Sequence, residues 1–501
     1  MKSILRLLVV SLILSPLGFA APLGTPLPRS TPEAEGISSA GISALVDELE
    51  AKAYGVHSIM IVRHGRVVAE GWWGPYTAEE PHMLFSLSKS FTSTAIGLLQ
   101  SEGKLDIHDP LLKYFPGEAP ANASDNLKTM RIRDLLMMST GQHKEEVDRL
   151  NEGLTAKPDA TKQFLAMPVP HKPGTLFYYN SPGTYMLSAT VTKVTGQTVR
   201  DYLMPRIFEP LGIPAPDWDI SVQGYSHGAS GLHLRTEEIA KFGQLLLQRG
   251  EWNGRRLIPA AWIDLATSRQ TSNGSDPDGE WDQGYGFQFW RCVPGFYRAD
   301  GAHGQFCIVM PQYDTVIAIN SGTPDMRGVL KTLWSRLLPE LRPAALPADD
   351  VAAGKLKAKL STLIQPVVAG ANTNATAALV SGKTFHFADN PLKLESLNAK
   401  FEAGAAKFVL KVDGKEYVLS AVAGVWTKGE TYPAVEAKTP APAATTGAWT
   451  ADETYTLIIS EYLNTFKATY TLRFQNGELT LERRVNTGIA AKEPVLLTGK
   501  S

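Results

Sequence analysis

The stretch Phe85–Leu99, FSLSKSFTSTAIGLL, decides how the rest of the chain is read. Its apolar residues Phe91, Ala95, Ile96, Leu98 and Leu99 recur at helical spacing. Ser86 and Lys89 are three residues apart, which on a helix makes them neighbours one turn apart. A helix starting near Ser86 therefore brings a hydroxyl and an amine within reach on one face. A serine hydroxyl is almost wholly protonated at neutral pH and needs a neighbour to take its proton. A lysine can do so if burial or nearby cations depress its pKa. The unpaired N–H groups at a helix start can also stabilise an oxyanion. The same four-residue pattern occurs on solvated helix faces. Here Leu84-Phe85 runs into the serine, and Ser88, Ser90 and Thr92 surround the lysine with small polar groups rather than Glu/Lys pairs.

Two other stretches offer partners. Tyr178-Tyr179-Asn180 follows the Pro173-Gly174 turn. A phenol at Tyr178 beside a lysine ammonium is biased towards its anion and can relay the serine's proton to a leaving group. The Asn180 amide can hold the lysine and a substrate carbonyl. Asp300-Gly301-Ala302-His303-Gly304-Gln305 reads as the start of a strand whose small residues admit a substrate backbone, with the Gln305 N–H as a second oxyanion donor. Two further motifs are set aside. Ser124-Asp125-Asn126 reads as loop chemistry with no helix beginning at it. Gly224-Tyr225-Ser226-His227-Gly228 matches a nucleophile elbow, but no helix follows it.

The chain has 501 residues, too many for one core. Its formal net charge of −1 implies no general attraction to nucleic acid or anionic membrane. Met1–Ala20 reads as a signal peptide: Lys2 and Arg6, then the apolar run Leu7–Leu17, then Gly18 and Ala20. Export to periplasm or medium, with no membrane anchor after cleavage, is the expectation. The two cysteines, Cys292 and Cys307, fall in strand-like runs, so either a disulfide or two buried thiols is open. They and the scattered histidines form no metal-ligand spacing.

Ser38–Ala53 reads as a helix, and HSIMIVRHGRVVAEGWW as two strands turning at His64-Gly65. Helices follow around Met130–Met138, Tyr185–Val194, Thr198–Leu211 and Thr236–Arg249, the last capped by Thr236. Strand-like runs at Tyr285–Cys292, Gln305–Met310 and Thr315–Asn320 precede a helix at Met326–Leu338. Strands at both ends and helices between them predict an α+β fold: an antiparallel sheet flanked by helices with a helical subdomain. The divisions expected are residues 1–20, a main α+β domain at 21–340, a linker with a short helix at 341–381, and an all-β domain at 382–501. Leu341–Asp350 reads as the linker and Lys438–Thr446 as a flexible interruption of the β domain.

In order, SLSK, YYN and AHGQ ahead of a strand resemble the three active-site elements of the serine β-lactamase and penicillin-binding-protein superfamily. The wording FSLSKSFTS, IRDLLMMSTG, GTLFYYNSPGTYML, GLHLRTEEIAKFGQLLL and GQFCIVMP resembles its class C-like branch of esterases, D-amino-acid peptidases and nylon-oligomer hydrolases. The resemblance covers about residues 30–340 and implies an acyl-enzyme mechanism. On it, Ser86 is the nucleophile, Lys89 and Tyr178 manage the proton, Asn180 positions, and the N–H groups of Ser86 and Gln305 bind the oxyanion. It implies no metal or organic cofactor, and a small-molecule or peptide-like substrate. The usual Lys-Thr-Gly is replaced by Ala302-His303-Gly304, and a neutral histidine binds an anion less well. That favours an ester, amide or peptide over a β-lactam. A β-lactamase or D,D-carboxypeptidase, and a non-catalytic binding protein on this scaffold, are the alternatives.

Overall fold

Residues of β1 (Val56–Arg63) alternate between two cores, as a pleated strand covered on both faces requires. Met60 and Val62 join one apolar cluster, Ile59 and Ile61 the other. The computed structural model describes residues 25–402, 404–432, 441–486 and 493–501, so Met1–Ala20 lies outside the described residues. β1 turns at His64-Gly65 into β2 (Arg66–Trp72). The chain returns to this sheet much later, through β3 (Trp290–Arg291), β4 (Tyr297–Gly301), β5 (Gln305–Met310) and β6 (Thr315–Ser321). The strand order is β2-β1-β6-β5-β4-β3, antiparallel throughout, so the first strands pair with the last.

One face of the sheet is covered by α1 (Ser39–Ala51), whose Ile42, Leu45, Val46 and Leu49 meet Leu330 and Leu333 of a later helix, Met326–Arg336. The Ser38 hydroxyl caps α1 by accepting from Gly41 N–H at 3.1 Å. The other face carries α2 (Ser88–Ser101) and α4 (Thr236–Leu247), and α3 (Ser181–Thr195) packs on α2. Phe91 of α2 stacks on Phe242 of α4, ring centroids 3.9 Å apart. The cap of α4 is Arg235, not Thr236. The Glu238 carboxylate takes the Arg235 backbone N–H at 2.8 Å, which leaves the Thr236 hydroxyl to donate to Ser58 Oγ in β1 at 2.7 Å.

Leu341–Asp350 does not hang free: Arg342 N–H donates to Gly36 O and Leu346 N–H to Glu33 O. Leu356 and Leu363 beyond it enter the core around α1. From Thr384 a second sheet of ten antiparallel strands runs β7 (Thr384–Phe387), β8 (Leu394–Glu402), β9 (Ala405–Val412), β10 (Lys415–Ala421), β11 (Thr427–Tyr432), β12 (Ala441–Ala451), β13 (Thr454–Ser460), β14 (Lys467–Gln475), β15 (Glu478–Val485) and β16 (Val495–Lys500). Its edges curl together, Thr445 of β12 donating to Ser420 O of β10, to form a near-barrel around Phe401, Trp449 and Tyr455. The expected interruption at Lys438–Thr446 is corrected from residue 441 onward, because those residues are paired strand.

The cysteines are both free thiols. The strand Tyr297–Gly301, not foreseen from sequence, inserts between their segments: Cys307 pairs with Ala299. Cys307 lies in the core that contains α2 and Cys292 in the core that contains α1, so the sheet itself separates the two sulfurs. We expect thiol-reactive reagents to leave native protein unmodified and to modify both cysteines after unfolding without reductant. Mass spectrometry of the alkylated chain checks this.

Candidate active site

The polypeptide reaches Ser86 through a tight turn. Phe85 holds left-handed backbone at φ 47°, and Phe85–Leu87 forms a single 3-10 turn before α2 begins. The turn aims Ser86 and Lys89 the same way, with Lys89 Nζ 2.9 Å from Ser86 Oγ. A second bond, 2.8 Å to the carbonyl of Ala229, fixes the amine. Lys89 is buried, 2 % exposed, and burial pushes its pKa down to about 7 against the opposing pull of the Asp300 charge.

The small polar residues around Lys89 pin loops to α2. Ser90 Oγ donates to Gln288 O at 2.7 Å, Thr92 Oγ1 to Gly228 O at 2.9 Å, and Ser88 Oγ accepts from Leu232 N–H at 3.2 Å. The stretch 224–230 is thus the shelf that carries the lysine's carbonyl. Ser226 within it is fully buried and no helix follows, so it is no nucleophile elbow. Ser124 does begin a helix, correcting the loop expectation: it caps Asp125–Thr129 by accepting from Leu127 N–H. Its role is structural.

Tyr178 is not at the site. Its hydroxyl donates to Asp148 Oδ1 at 2.6 Å on the outer surface. The next residue is: the Tyr179 side chain interacts with Ser86, and its ring centroid lies 4.9 Å from Lys89 Nζ. Neighbouring side chains on extended backbone point to opposite sides, so only one of the two tyrosines can face Ser86. Burial raises the Tyr179 pKa, so the phenol is neutral. Asn180 is also corrected. It is wholly buried as the cap of α3, its Oδ1 accepting from Gly183 N–H and its Nδ2 donating to Thr140 and Gln142. It holds α3 in place; Ala229 O does the work expected of it at the lysine.

The third element sits at the tip of the β4–β5 hairpin. Gly301 must be glycine: a Cβ there would lie 2.1 Å from Leu84 O, so the strand end presses against the segment that carries Ser86. Gln305 and Gly304 are corrected. Gln305 is fully buried, its backbone paired with Gly301 across the hairpin and its side-chain amide donating to Ala302 O and Ser321 O. Gly304 turns the chain at φ 86° tight against Ser321 Oγ. Neither lines the cleft, whereas Ala302 and His303 do. Neither the Ser86 nor the Ala302 N–H has a hydrogen-bond partner among the described residues. His303 is neutral, its pKa lowered by burial.

The cleft has a volume of about 500 Å³ and is walled by Tyr179, Trp281, Trp290, Met326 and Asp300 beside Ser86. Asp300 Oδ2 accepts from Arg298 Nε at 2.8 Å and Trp281 Nε1 at 3.1 Å. A second cavity of about 340 Å³ opens on the other side of Ser86, lined by Asn151, Thr155, Ser181 and His227 among others. His227 was missed as a wall residue; burial and the Lys89 charge push its pKa down to about 4, and Ser230 Oγ is 2.6 Å from its Nδ1. A larger cavity, about 720 Å³, lies by Leu27, Leu211 and Trp252, and Ser86 is not in its lining. Among the described residues no cluster of His, Cys, Asp and Glu could hold a metal ion.

Comparison with known proteins shows the family and the fold. A family model described as Beta-lactamase matches residues 42–335. The 6-aminohexanoate-dimer hydrolase of Paenarthrobacter ureafaciens is 25% identical over 288 residues, covering 54% of this chain and 73% of the relative. Penicillin-binding protein 4 of Amycolatopsis lactamdurans is 26% identical over 302 residues, covering 52% of this chain and 77% of the relative. A solved structure from Bacillus anthracis, provisionally assigned as a 6-aminohexanoate-dimer hydrolase, superposes with a TM-score of 0.50 at 18% identity, covering 67% of this chain and 86% of its own. That likeness speaks to the fold.

The paired tyrosines make a direct comparison. Tyr179→Phe is expected to lower kcat for an activated ester by about 100-fold, the size of a general acid–base contribution, and Tyr178→Phe to change it less than about threefold. Steady-state kinetics of the two variants check this.

Proposed function

Since the chain belongs to the beta-lactamase family and is a serine hydrolase of that fold, we propose that it cleaves an ester, amide or peptide bond through an acyl-enzyme on Ser86. The observation that carries this is the buried Lys89 amine 2.9 Å from Ser86 Oγ, with Tyr179 on the same hydroxyl. Neutral Lys89 takes the hydroxyl proton as Oγ bonds to the substrate carbonyl carbon. The resulting oxyanion is received by the Ser86 and Ala302 N–H groups, which need no reorganisation because nothing else claims them. Tyr179, a neutral phenol, gives its proton to the leaving group and regains one from Lys89. Water then repeats the sequence in reverse order of roles and frees the acyl group.

Asp300 bears on the substrate. Its carboxylate stands in the cleft wall paired with the Arg298 guanidinium, Arg327 also lines the cleft, and neutral His303 stands where the usual lysine would hold an anion. A β-lactam or a D-Ala-D-Ala terminus brings a carboxylate; an uncharged ester or amide does not. The Trp281, Trp290 and Met326 walls suit an apolar group next to the scissile bond. We also propose export of the protein, on the charged start and apolar run of Met1–Leu17.

A fluorophosphonate probe is expected to label Ser86, and Ser86→Ala to abolish both labelling and ester hydrolysis; peptide mass mapping that puts the label elsewhere, or hydrolysis surviving in Ser86→Ala, overturns the assignment. The rate also depends on pH. Lys89 must be unprotonated to act, and its pKa is near 7, so kcat/KM falls about tenfold per unit below that and levels off above it. N-terminal sequencing of mature protein starting beyond Ala20 supports export, and Met1 at the N-terminus refutes it.

A further inference from the structure

Two residues with side chains hold left-handed backbone beside the cleft: Phe85 at φ 47° and His303 at φ 64°. Such backbone is unfavourable for any residue but glycine and persists only where its surroundings over-determine it. Both sit at the groups that receive the oxyanion. Phe85 shares a peptide bond with Ser86 and so sets the direction of the Ser86 N–H. His303 follows Ala302 in the turn closed by Gly304 N–H and Gly301 O at 3.2 Å. Their rings meet edge to face, centroids 5.4 Å apart.

The braces on these two residues come from the second sheet. The loop 461–466 joins β13 to β14, and its Phe466 ring meets Phe85 edge to face at 6.1 Å. The same loop accepts Met83 N–H on Leu463 O at 2.9 Å, three residues before the nucleophile. Asn486, at the end of β15, donates to Gly322 O at 3.3 Å and to Thr465 O at 2.9 Å. The next residue, Thr323, donates its N–H to His303 O at 3.1 Å. Tyr76 OH, 3.2 Å from Ser460 Oγ, fastens the base of the loop to the first domain.

We propose that the C-terminal β domain is a working part of the hydrolase, in which Phe466 and Asn486 are positioning residues for the oxyanion-binding turn. The proposal rests on Ser86 being the nucleophile. An oxyanion donor acts by being fixed before charge develops on the substrate. Phe466 and His303 both meet the Phe85 ring edge to face, and the Phe466 contact keeps Phe85 in its left-handed state and the Ser86 N–H aimed into the cleft. Asn486 does the same for the His303 turn through Gly322 and Thr323. The two residues touch the reacting atoms only through others, so they act on turnover rather than on substrate capture.

The test uses the full chain, an activated ester and a fluorophosphonate probe. Wild-type labelling at Ser86 comes first; without it both the nucleophile assignment and this proposal fall. With it, Phe466→Ala is expected to lower kcat and the labelling rate together by about 10- to 100-fold, with KM within about twofold, since a small misplacement near the chemistry has that effect. The acid limb of the pH profile stays near 7, because Lys89 is untouched. Phe466→Leu, which keeps apolar bulk against Phe85, recovers most of the loss, and Asn486→Ala shows a kcat loss of the same kind. Should Phe466→Ala fail to fold, Asn486→Ala decides alone. A variant that melts earlier with kcat unchanged, or one that loses only KM, overturns the proposal while leaving Ser86 in place.

Discussion

A lysine amine buried without a carboxylate against it is the constraint on which the site depends. Lys89 is enclosed on α2, tied to one backbone carbonyl and one hydroxyl, and it meets Asp300 only through longer-range attraction. Water would keep such an amine charged; its removal brings the neutral form within reach at neutral pH. Much of the neighbourhood serves that exclusion. Serines and threonines of α2 face inward to anchor the 224–232 loop and Gln288, sealing the lysine from solvent. Ser88, Ser90, Thr92 and Thr94 of this polar helix can be buried because the hydroxyl of each has a backbone partner.

Long periodic or alternating segments were legible in the sequence: α1, α2, α4, the β1–β2 hairpin, β5 and β6. So was the Ser86–Lys89 spacing, since it depends only on helical geometry. What failed was local and directional. Tyr178 and Tyr179 are chemically identical, and which one faces the cleft depends on the strand-like twist of the backbone before α3 and on Asp148, distant in sequence, receiving the other. Asn180 was assigned to the substrate when its amide was needed to start α3, because capping and catalysis draw on the same residue types. Gln305 was named as a donor because β4 was not seen; once Tyr297–Gly301 pairs with β5, the hairpin tip moves back to Ala302. The same unseen strand undid the facing cysteines.

His227 shows a different limit. The motif that contains it, Gly224-Tyr225-Ser226-His227-Gly228, matches an unrelated nucleophile pattern centred on Ser226, and nothing in its spacing ties His227 to Ser86. Its position beside Ser86 follows from tertiary contacts that pin residues 226–229 to α2 and α3, through Thr92 and Ser188. The sequence signal was the run of small residues Gly228-Ala229-Ser230, which lets backbone approach a helix closely. Only the three-dimensional arrangement says which helix.

The sheet order β2-β1-β6-β5-β4-β3 has a consequence in time. β1 is among the earliest elements to emerge during synthesis, yet its partner β6 ends at Ser321. Until that pairing closes, Ser86 and Lys89 exist on a helix with no opposite wall, and the Ala302 turn has nothing to lean against. Contacts so distant along the chain form slowly. A nascent chain therefore has Ser86 and Lys89 side by side long before the cleft around them is complete.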